Sequence, residues 1–236
     1  MSLVDFIIME YTKVKGNRTF LITVIGALII PIMMAVVNMF IGGFSMADSL
    51  SGVFSFSLQS LSIIFTAVII NYLFTIDLET HTLKSIIPLP ISRREYIVGK
   101  LSTLLVWMLI LALISIIVSV ILFPLVGVNG FDLMAIFKES ALFLIGTALL
   151  FLVMIPVAFV TVATNNTSAG LIASVLILFS TMLPLEQLEY NPWILPYKVA
   201  FGTDVNVVLA LGIIVLVGII GYGLLRWVFY KRDIQL

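Results

Sequence analysis

Five long runs of the sequence contain no Asp, Glu, Lys or Arg: 19–47, 49–76, 101–131, 140–185 and 205–225. Together these runs make up about two thirds of the 236 residues. A helix crosses the hydrocarbon core of a bilayer with about 20 predominantly apolar residues. Four of the runs each have room for one such helix, and 140–185 has room for two. The pattern therefore predicts an all-α integral membrane protein with six transmembrane helices.

The predicted spans leave no soluble domain outside the bilayer, so residues 1–236 are expected to form a single membrane domain. The spans are 20–41, 53–75, 102–125, 141–163, 169–185 and 205–227. Composition agrees, because 62% of the residues are hydrophobic and 10% are charged, whereas soluble domains are about 45–50% apolar and about 25% charged. The 12 basic and 12 acidic residues balance, so charge does not indicate a nucleic-acid partner. The lack of cysteine excludes a disulfide framework and a thiolate metal site.

Basic residues predict the orientation, because cytoplasmic loops are enriched in Lys and Arg. With six spans, ten of the 12 basic residues lie on the side that holds both termini. The opposite side has only Lys138 and Lys198. Both termini are therefore expected in the cytoplasm, and residues 42–52, 127–138 and 186–204 are expected to face outward.

The division of 140–185 into two spans depends on Asn165-Asn166-Thr167-Ser168, a polar cluster with turn chemistry. The cluster carries no basic residue, so charge does not assign it to the cytoplasm. One long span with a re-entrant piece is the alternative interpretation. An odd number of spans would place the C-terminus outside the cell.

Residues 1–18 precede the first span and are predicted to form an amphipathic elbow helix in the cytoplasmic interface. Apolar side chains that include Phe6 and Ile7 recur at helical spacing. Lys13, Lys15 and Arg18 give the segment its basic flank. Such helices lie in the plane of the membrane with their apolar face towards the acyl chains. A short tail with a few apolar residues is the alternative.

The predicted spans lack the ionisable side chains that proton-coupled and ion-coupled transporters place inside the bilayer. The single histidine, His81, lies between the second and third spans, which excludes an intramembrane H-E-x-x-H site and a histidine base for a serine nucleophile. Gly99-Lys100 is the nearest approach to a phosphate-binding loop, and it lacks both the earlier glycine and the following Ser or Thr. We therefore expect no catalytic residue, no metal and no cofactor in this chain.

A few polar residues do lie within the predicted spans, and two interpretations of them remain open. Hydrogen bonding between helices is the first, worth about 0.6–2 kcal/mol for each bond. A polar route for a transported substrate is the second, and its candidate residues are Asn38, Gln59, Thr66 and Asn71. Pairs of small residues four positions apart, such as Gly170 and Ser174, favour close packing of helices.

The predicted cytoplasmic loop 77–100 combines an apolar helical face, a rigid kink and clustered charge. A short helix can begin near Glu79, and the Pro88-Leu-Pro90 sequence ends it and imposes extended backbone. Ser92 and Glu95 then form a capping box for a second helix. We predict that this platform contacts a partner through ten residues: Glu79, Thr82, Leu83, Ile86, Ile87, Pro88, Pro90, Ser92, Arg93 and Arg94. A solvated loop that only fixes topology is the alternative.

The loop resembles that of a known family. Glu79-x-x-Thr82, Pro88-x-Pro90-x-Ser92-Arg93 and Gly99-Lys100 are similar to the segment after the second span in ABC-2-type exporter permeases. The opening Glu10-x-x-Lys13 and the closing Tyr230-Lys231-Arg232-Asp233 are also similar. Among these permeases, short chains of this kind resemble those of bacitracin resistance, lantibiotic immunity and cytolytic-peptide export.

The resemblance implies how such a chain would obtain energy. The loop after the second span would be a coupling helix that docks on a separate ABC ATPase subunit, present in two copies, which binds the ATP and Mg. Two permease copies, or this chain and a sibling, would pair in a bacterial cell membrane and export antimicrobial or cytolytic peptides or other amphiphiles. A permease for lipids or small-molecule drugs is an alternative, as is a non-transporting membrane scaffold. A lipid-modifying enzyme would need an interfacial cluster of Asp, Glu or His, and the sequence shows none.

The outer segment 186–204 is the remaining candidate functional region. It is rich in aromatic residues, with Tyr190, Trp193 and Tyr197, and Glu186 and Glu189 add negative charge. Anchoring in the membrane interface is one interpretation. The resemblance implies the other, in which this segment gates the exit.

Overall fold

A computed structural model describes residues 9, 12, 17–79, 93–128, 130–164, 166–183, 189–202 and 205–231. This described part of the chain is helical, without strands. Its helices are α1 (Arg18–Ile41), α2 (Met46–Gln59), α3 (Leu61–Glu79), α4 (Arg93–Leu125), α5 (Leu133–Thr164), α6 (Thr167–Met182), α7 (Leu195–Phe201) and α8 (Val207–Lys231).

Polar residues at the borders of the apolar runs determine where several helices begin. The Asn17 side chain accepts a hydrogen bond from the Thr19 backbone N–H at 3.1 Å and caps α1. Ser45 caps α2 in the same way by accepting from Asp48 N at 3.2 Å. Each cap satisfies a backbone N–H that the first turn of a helix leaves unpaired.

In the described part of the chain four helices, α1, α4, α5 and α8, are long and apolar enough to cross a membrane. The pair α2 and α3 counts as a fifth span if the two are joined across a bend of 45°. Helix α6 is apolar but shorter. The protein is therefore a multi-pass membrane protein, while the full count of six spans stays a prediction.

The second span differs from its prediction as one continuous helix over 53–75. The chain is already helical from Met46, with Leu50 fully buried, so much of the expected outer loop 42–52 belongs to α2. The helix then breaks at Ser60. By contrast, the predicted break after 163 is confirmed, because α5 ends at Thr164 and α6 begins at Thr167. Helix α5 also begins at Leu133, earlier than predicted.

Helix α5 lies at the centre of the bundle and packs against α2, α3, α4, α6, α7 and α8. Its contact with α8 is made close by glycine. A Cβ atom added at Gly221 would lie 2.7 Å from Pro156 Cδ and 2.8 Å from Pro156 N. Gly218, one turn away on α8, faces Leu152 less tightly, since an added Cβ there would lie 3.4 Å from Leu152 Cβ. Gly218 and Gly221 therefore pack against α5, whereas a Cβ atom added at Gly223 would meet nothing within 4 Å.

Small residues also allow α6 to approach its neighbours. A Cβ atom added at Gly170 would lie 2.1 Å from Thr161 Oγ1 in α5 and 2.6 Å from Asn71 Oδ1 in α3. This position confirms the close packing predicted for the pair Gly170 and Ser174. On the other side of the bundle, the Trp107 indole of α4 donates to Thr23 Oγ1 of α1 at 3.2 Å.

Large apolar side chains cover the outer surfaces of α1, α4, α6 and α8. Phe40 in α1 is 82% exposed and Val208 in α8 is 81% exposed. A surface this apolar would be a liability in water, because soluble monomers rarely expose large continuous apolar patches. Acyl chains are its natural surroundings, which agrees with a membrane location.

Candidate functional site

The break between α2 and α3 interrupts the only bent span in the described residues. Ser60 adopts φ −126° and ψ −92°, and its N–H still donates to Phe56 O at 3.1 Å. The Thr181 hydroxyl of α6 lies 3.2 Å from Gln59 O, where it supports the carbonyl next to the break. Irregular backbone at membrane depth is tolerated where protein buries it or where it lines a cavity. Discontinuous helices of this kind form substrate and ion sites in many transporters.

A cavity of about 50 Å³ lies beside this break. Residues on both sides of the break contribute to its wall: Ser57 from α2, and Leu61, Ser62, Phe65, Thr66 and Ile69 from α3. Helices α1, α4 and α5 supply the rest: Gly26, Ala27, Ile30, Met108, Leu111, Ala112, Ser115, Phe143 and Thr147. The aromatic ring of Phe65 reaches across to Gly26, where an added Cβ would lie 1.9 Å from Cζ. Because Gly26 has no side chain, the Phe65 ring can pack directly against the backbone of α1.

The cavity is located about halfway along the helices that form it. Gly26 to Ile30 are central in α1, Met108 to Ser115 in α4, and Thr147 in α5. If these helices cross a hydrocarbon core about 30 Å thick, the cavity lies near the middle of the bilayer. This depth separates it from both aqueous phases.

Hydroxyl groups are the polar chemistry of the cavity wall, and no charged side chain is found among the described residues that form it. Thr66 donates to Ser62 O at 2.6 Å and Thr147 donates to Phe143 O at 2.8 Å, so each keeps lone pairs as acceptors. Ser115 is 3% exposed, and its Oγ has no hydrogen-bond partner. An apolar wall with hydroxyls can hold neutral groups, whereas an unpaired ion would be strongly disfavoured.

The four predicted substrate-route residues separate in the structure. Thr66 lines the cavity. Asn38 donates instead to Ser49 Oγ at 3.1 Å, which links α1 and α2. Asn71 Oδ1 accepts from Thr161 Oγ1 at 3.0 Å, which links α3 and α5. Gln59 is half-buried at the end of α2, beside the break.

The predicted coupling segment is only partly within the described residues. Thr82, Leu83, Ile86, Ile87, Pro88, Pro90 and Ser92 lie outside them, as does the side chain of Glu79. Arg94 is exposed at the start of α4. Arg93 donates from Nη1 to Phe229 O at 3.0 Å, near the C-terminal end of α8, where a cation is favourable. The role of these residues in docking stays a prediction.

The elbow residues Phe6, Ile7, Lys13 and Lys15 also lie outside the described residues. Arg18 is the exposed first residue of α1. The sequence did not predict the surroundings of Lys100: its side chain is fully buried and its Nζ lies 5.4 Å from the centre of the Tyr96 ring. The spacing of four residues on one helix face could have indicated that pairing.

The outer segment is joined to the bundle by specific hydrogen bonds. The Trp193 indole donates to Val153 O in α5 at 3.0 Å. Asn191 Nδ2 donates to Ser180 Oγ in α6 at 3.0 Å. Trp193 is therefore hydrogen-bonded to the bundle and not simply anchored in the membrane interface. Tyr190, by contrast, is 38% exposed. Asn191 is itself buried.

Within the described ranges, no group of three or more His, Asp or Glu side chains is placed to hold a metal ion. The chemistry available at the break and the cavity is therefore hydrogen bonding and apolar contact.

Two comparisons with known proteins connect this geometry to a family. A profile described as "ABC-2 family transporter protein" matches residues 6–182, which include the bent span, the cavity wall and the segment between α3 and α4. The chain is also 34% identical over 140 residues to the bacitracin transport permease protein BCRB of Bacillus licheniformis. The aligned region is 58% of this chain and 66% of that relative, just under two thirds of its length.

Proposed function

This chain belongs to the ABC-2 family of transporter proteins, and from that premise we propose that it exports amphiphilic compounds with energy from a separate ATPase. The resemblance seen in the sequence is thus confirmed at the level of the family. Permeases of ABC transporters provide the path through the membrane, and the chain is such a transmembrane subunit.

The bent span beside a neutral cavity is the observation that supports this function best. Helices α2 and α3 are two rigid pieces that meet at Ser60, so a change in their 45° angle can alter the packing around the cavity. Helix breaks of this kind are among the positions that absorb large changes of backbone angle when domains move. A span that bends there can pass a substrate without breaking the rest of the bundle.

The energy would enter through the cytoplasmic segment 80–92. This segment connects α3, which carries the break, directly to α4, which contributes Ser115 to the cavity wall. The sequence contains no phosphate-binding loop, which leaves ATP binding to a partner. In this proposal six spans place both termini in the cytoplasm, two ATPase subunits dock beneath, and two permease copies or a heterodimer complete the transporter.

The name of the relative supports a peptide as the substrate. That protein is described as a bacitracin transport permease, and we extend bacitracin or a similar amphiphilic peptide to this chain as the first compound to test. The exposed apolar surfaces of α1 and α8 suit delivery of such compounds from the bilayer. A lipid or an apolar drug has the same general chemistry and is the competing substrate class.

The docking proposal can be tested with paired substitutions in the segment. Ile86→Asp combined with Ile87→Asp places two charges where an apolar face should enter a groove of the ATPase. Hot-spot residues of this kind typically contribute about 2 kcal/mol or more, so the variant should lose the ATPase on co-purification. Phe131→Asp, an exposed substitution on the predicted opposite side, is the control and should retain it.

Insertion of both variants should be verified by monodisperse elution of the detergent-solubilised protein. If the double variant keeps both the ATPase and the resistance phenotype, the segment only fixes topology. A non-transporting scaffold would be the better description if the unmodified chain neither retains an ATPase nor confers resistance.

A further inference from the structure

Ser115 is an exception among the hydroxyl side chains of this bundle. Many buried Ser and Thr residues of the described helices donate to the carbonyl four residues earlier in their own helix, as Thr103 does to Gly99 O at 3.0 Å and Ser119 to Ser115 O at 2.8 Å. Ser115 makes no such bond, although it is 3% exposed. A buried donor without a partner costs about 1–3 kcal/mol. Of the three buried unpaired side-chain atoms in the described residues, it is the one on the cavity wall.

The cavity wall defines what could satisfy this donor. None of the described residues that line the cavity is charged, so an ionised group would find no counter-charge among them. The hydroxyls of Ser115, Thr66 and Thr147 can donate to or accept from a neutral oxygen-bearing group. The apolar remainder of the wall suits the carbon atoms attached to that oxygen.

The volume limits the size of the group. An engineered cavity of about 150 Å³ holds a benzene molecule, and this cavity measures about 50 Å³. It therefore has room for one hydrogen-bonding oxygen with one or two carbons. A whole peptide does not fit, whereas a hydroxyl or carboxamide at the end of a side chain does.

We propose that the cavity beside the break is a binding site, built within one protomer, for a small uncharged oxygen-bearing group of an amphiphile. Ser115 would donate to the oxygen of the group, and Thr66 and Thr147 would offer acceptors. This proposal rests on the proposed function in one respect: the amphiphile that carries the group is taken to be the transported compound. The chemical selectivity of the cavity does not depend on transport.

A cysteine substitution can measure that selectivity directly, because the chain has no cysteine of its own. Ser115→Cys changes one atom in the wall. The purified full chain would be treated with hydroxyethyl methanethiosulfonate or with aminoethyl methanethiosulfonate, which match in size and differ in charge. Ser168→Cys, at an exposed position with no charged residue close to it in the sequence, supplies the reference ratio of the two rates.

Relative to Ser168→Cys, the neutral reagent should modify Ser115→Cys at least about tenfold faster than the charged reagent. A tenfold ratio corresponds to about 1.4 kcal/mol of discrimination against a charge. Equal ratios at the two positions would overturn the proposal. Adding Gly26→Ala should push the Phe65 ring towards the cavity and slow the neutral reaction by a similar factor. Gly212→Ala, where an added Cβ meets nothing within 4 Å, is the matched control and should leave the rate unchanged.

Competition then identifies the source of the group. Bacitracin should slow the neutral reaction at Ser115→Cys if the group belongs to a transported peptide. Slowing by phosphatidylglycerol alone would support the same site with a membrane lipid as its ligand, and would count against a peptide substrate. If neither compound slows the reaction, the ligand site is refuted even where the ATPase complex and resistance are intact.

Discussion

The contact between α5 and α8 predicts a strong effect of one methyl group at Gly221. In Gly221→Ala the new Cβ would lie 2.7 Å from Pro156 Cδ, 2.8 Å from Pro156 N and 2.9 Å from Pro156 Cγ. The first distance is 0.7 Å short of the 3.4 Å at which ordinary van der Waals contact begins. A proline ring has no rotamer that would move it aside, and one of the three atoms is backbone. The two helices would therefore have to separate.

The magnitude follows from two opposing terms. Overpacking a well-packed core typically costs about 1–3 kcal/mol. Replacing Gly by Ala inside a helix stabilises the folded protein by up to about 1 kcal/mol. Gly223→Ala, two residues away on the exposed side of α8, gains the same helix propensity and meets nothing within 4 Å. The difference between the two variants therefore isolates the overpacking term of about 1–3 kcal/mol.

Thermal unfolding in a mild detergent, followed by size-exclusion chromatography, measures this difference. For a chain of this length about 1 kcal/mol corresponds to about 2–4 °C, so Gly221→Ala should unfold roughly 5 °C below Gly223→Ala. The Gly223→Ala protein should match the unmodified chain or exceed it slightly. Equal midpoints for the two alanine variants would show that α8 does not pack on Pro156 as described.

Three further predictions concern other contacts and the topology. Gly170→Ala should destabilise the protein by about 1–3 kcal/mol, because its Cβ would lie 2.1 Å from Thr161 Oγ1. The same thermal assay measures the loss, and an unchanged midpoint would exclude this packing. Trp193→Phe should cost about 1 kcal/mol by removing the donor to the α5 carbonyl, and it should leave expression unchanged; no loss would show that water replaces the indole. In intact cells a membrane-impermeant maleimide should label Ser45→Cys and not Ser168→Cys, and labelling of the latter would reverse the assignment of α5 and α6.

The sequence was sufficient to locate most helices, because charge and apolar length control membrane insertion. Asn17 and Asn166 are polar residues at the borders of apolar runs, and their side chains cap the starts of α1 and α6. The break at Ser60 was not predictable in this way. It falls in the charge-free run 49–76, which contains no proline, and the hydroxyl that supports it comes from Thr181, which is far away in sequence.

The candidate site shows the same division between local and tertiary information. Asn38 and Asn71 were correctly identified as polar residues inside spans, and their bonds to other helices are the common use of such side chains. The cavity could not be predicted, since it combines the middle residues of helices that meet only in the folded bundle. Ser115 carries no local signal, because its distinctive feature is a hydrogen bond that it does not make.

Resistance of cells to bacitracin tests the central proposal most directly. The chain would be expressed alone, with its ATPase, and with an ATPase variant that binds ATP but cannot hydrolyse it, at equal membrane levels of the chain. The proposal predicts resistance only with the active ATPase, and its loss in the Ile86→Asp and Ile87→Asp double variant. Resistance from the chain alone, or with the inactive ATPase, would contradict export powered by a separate ATPase.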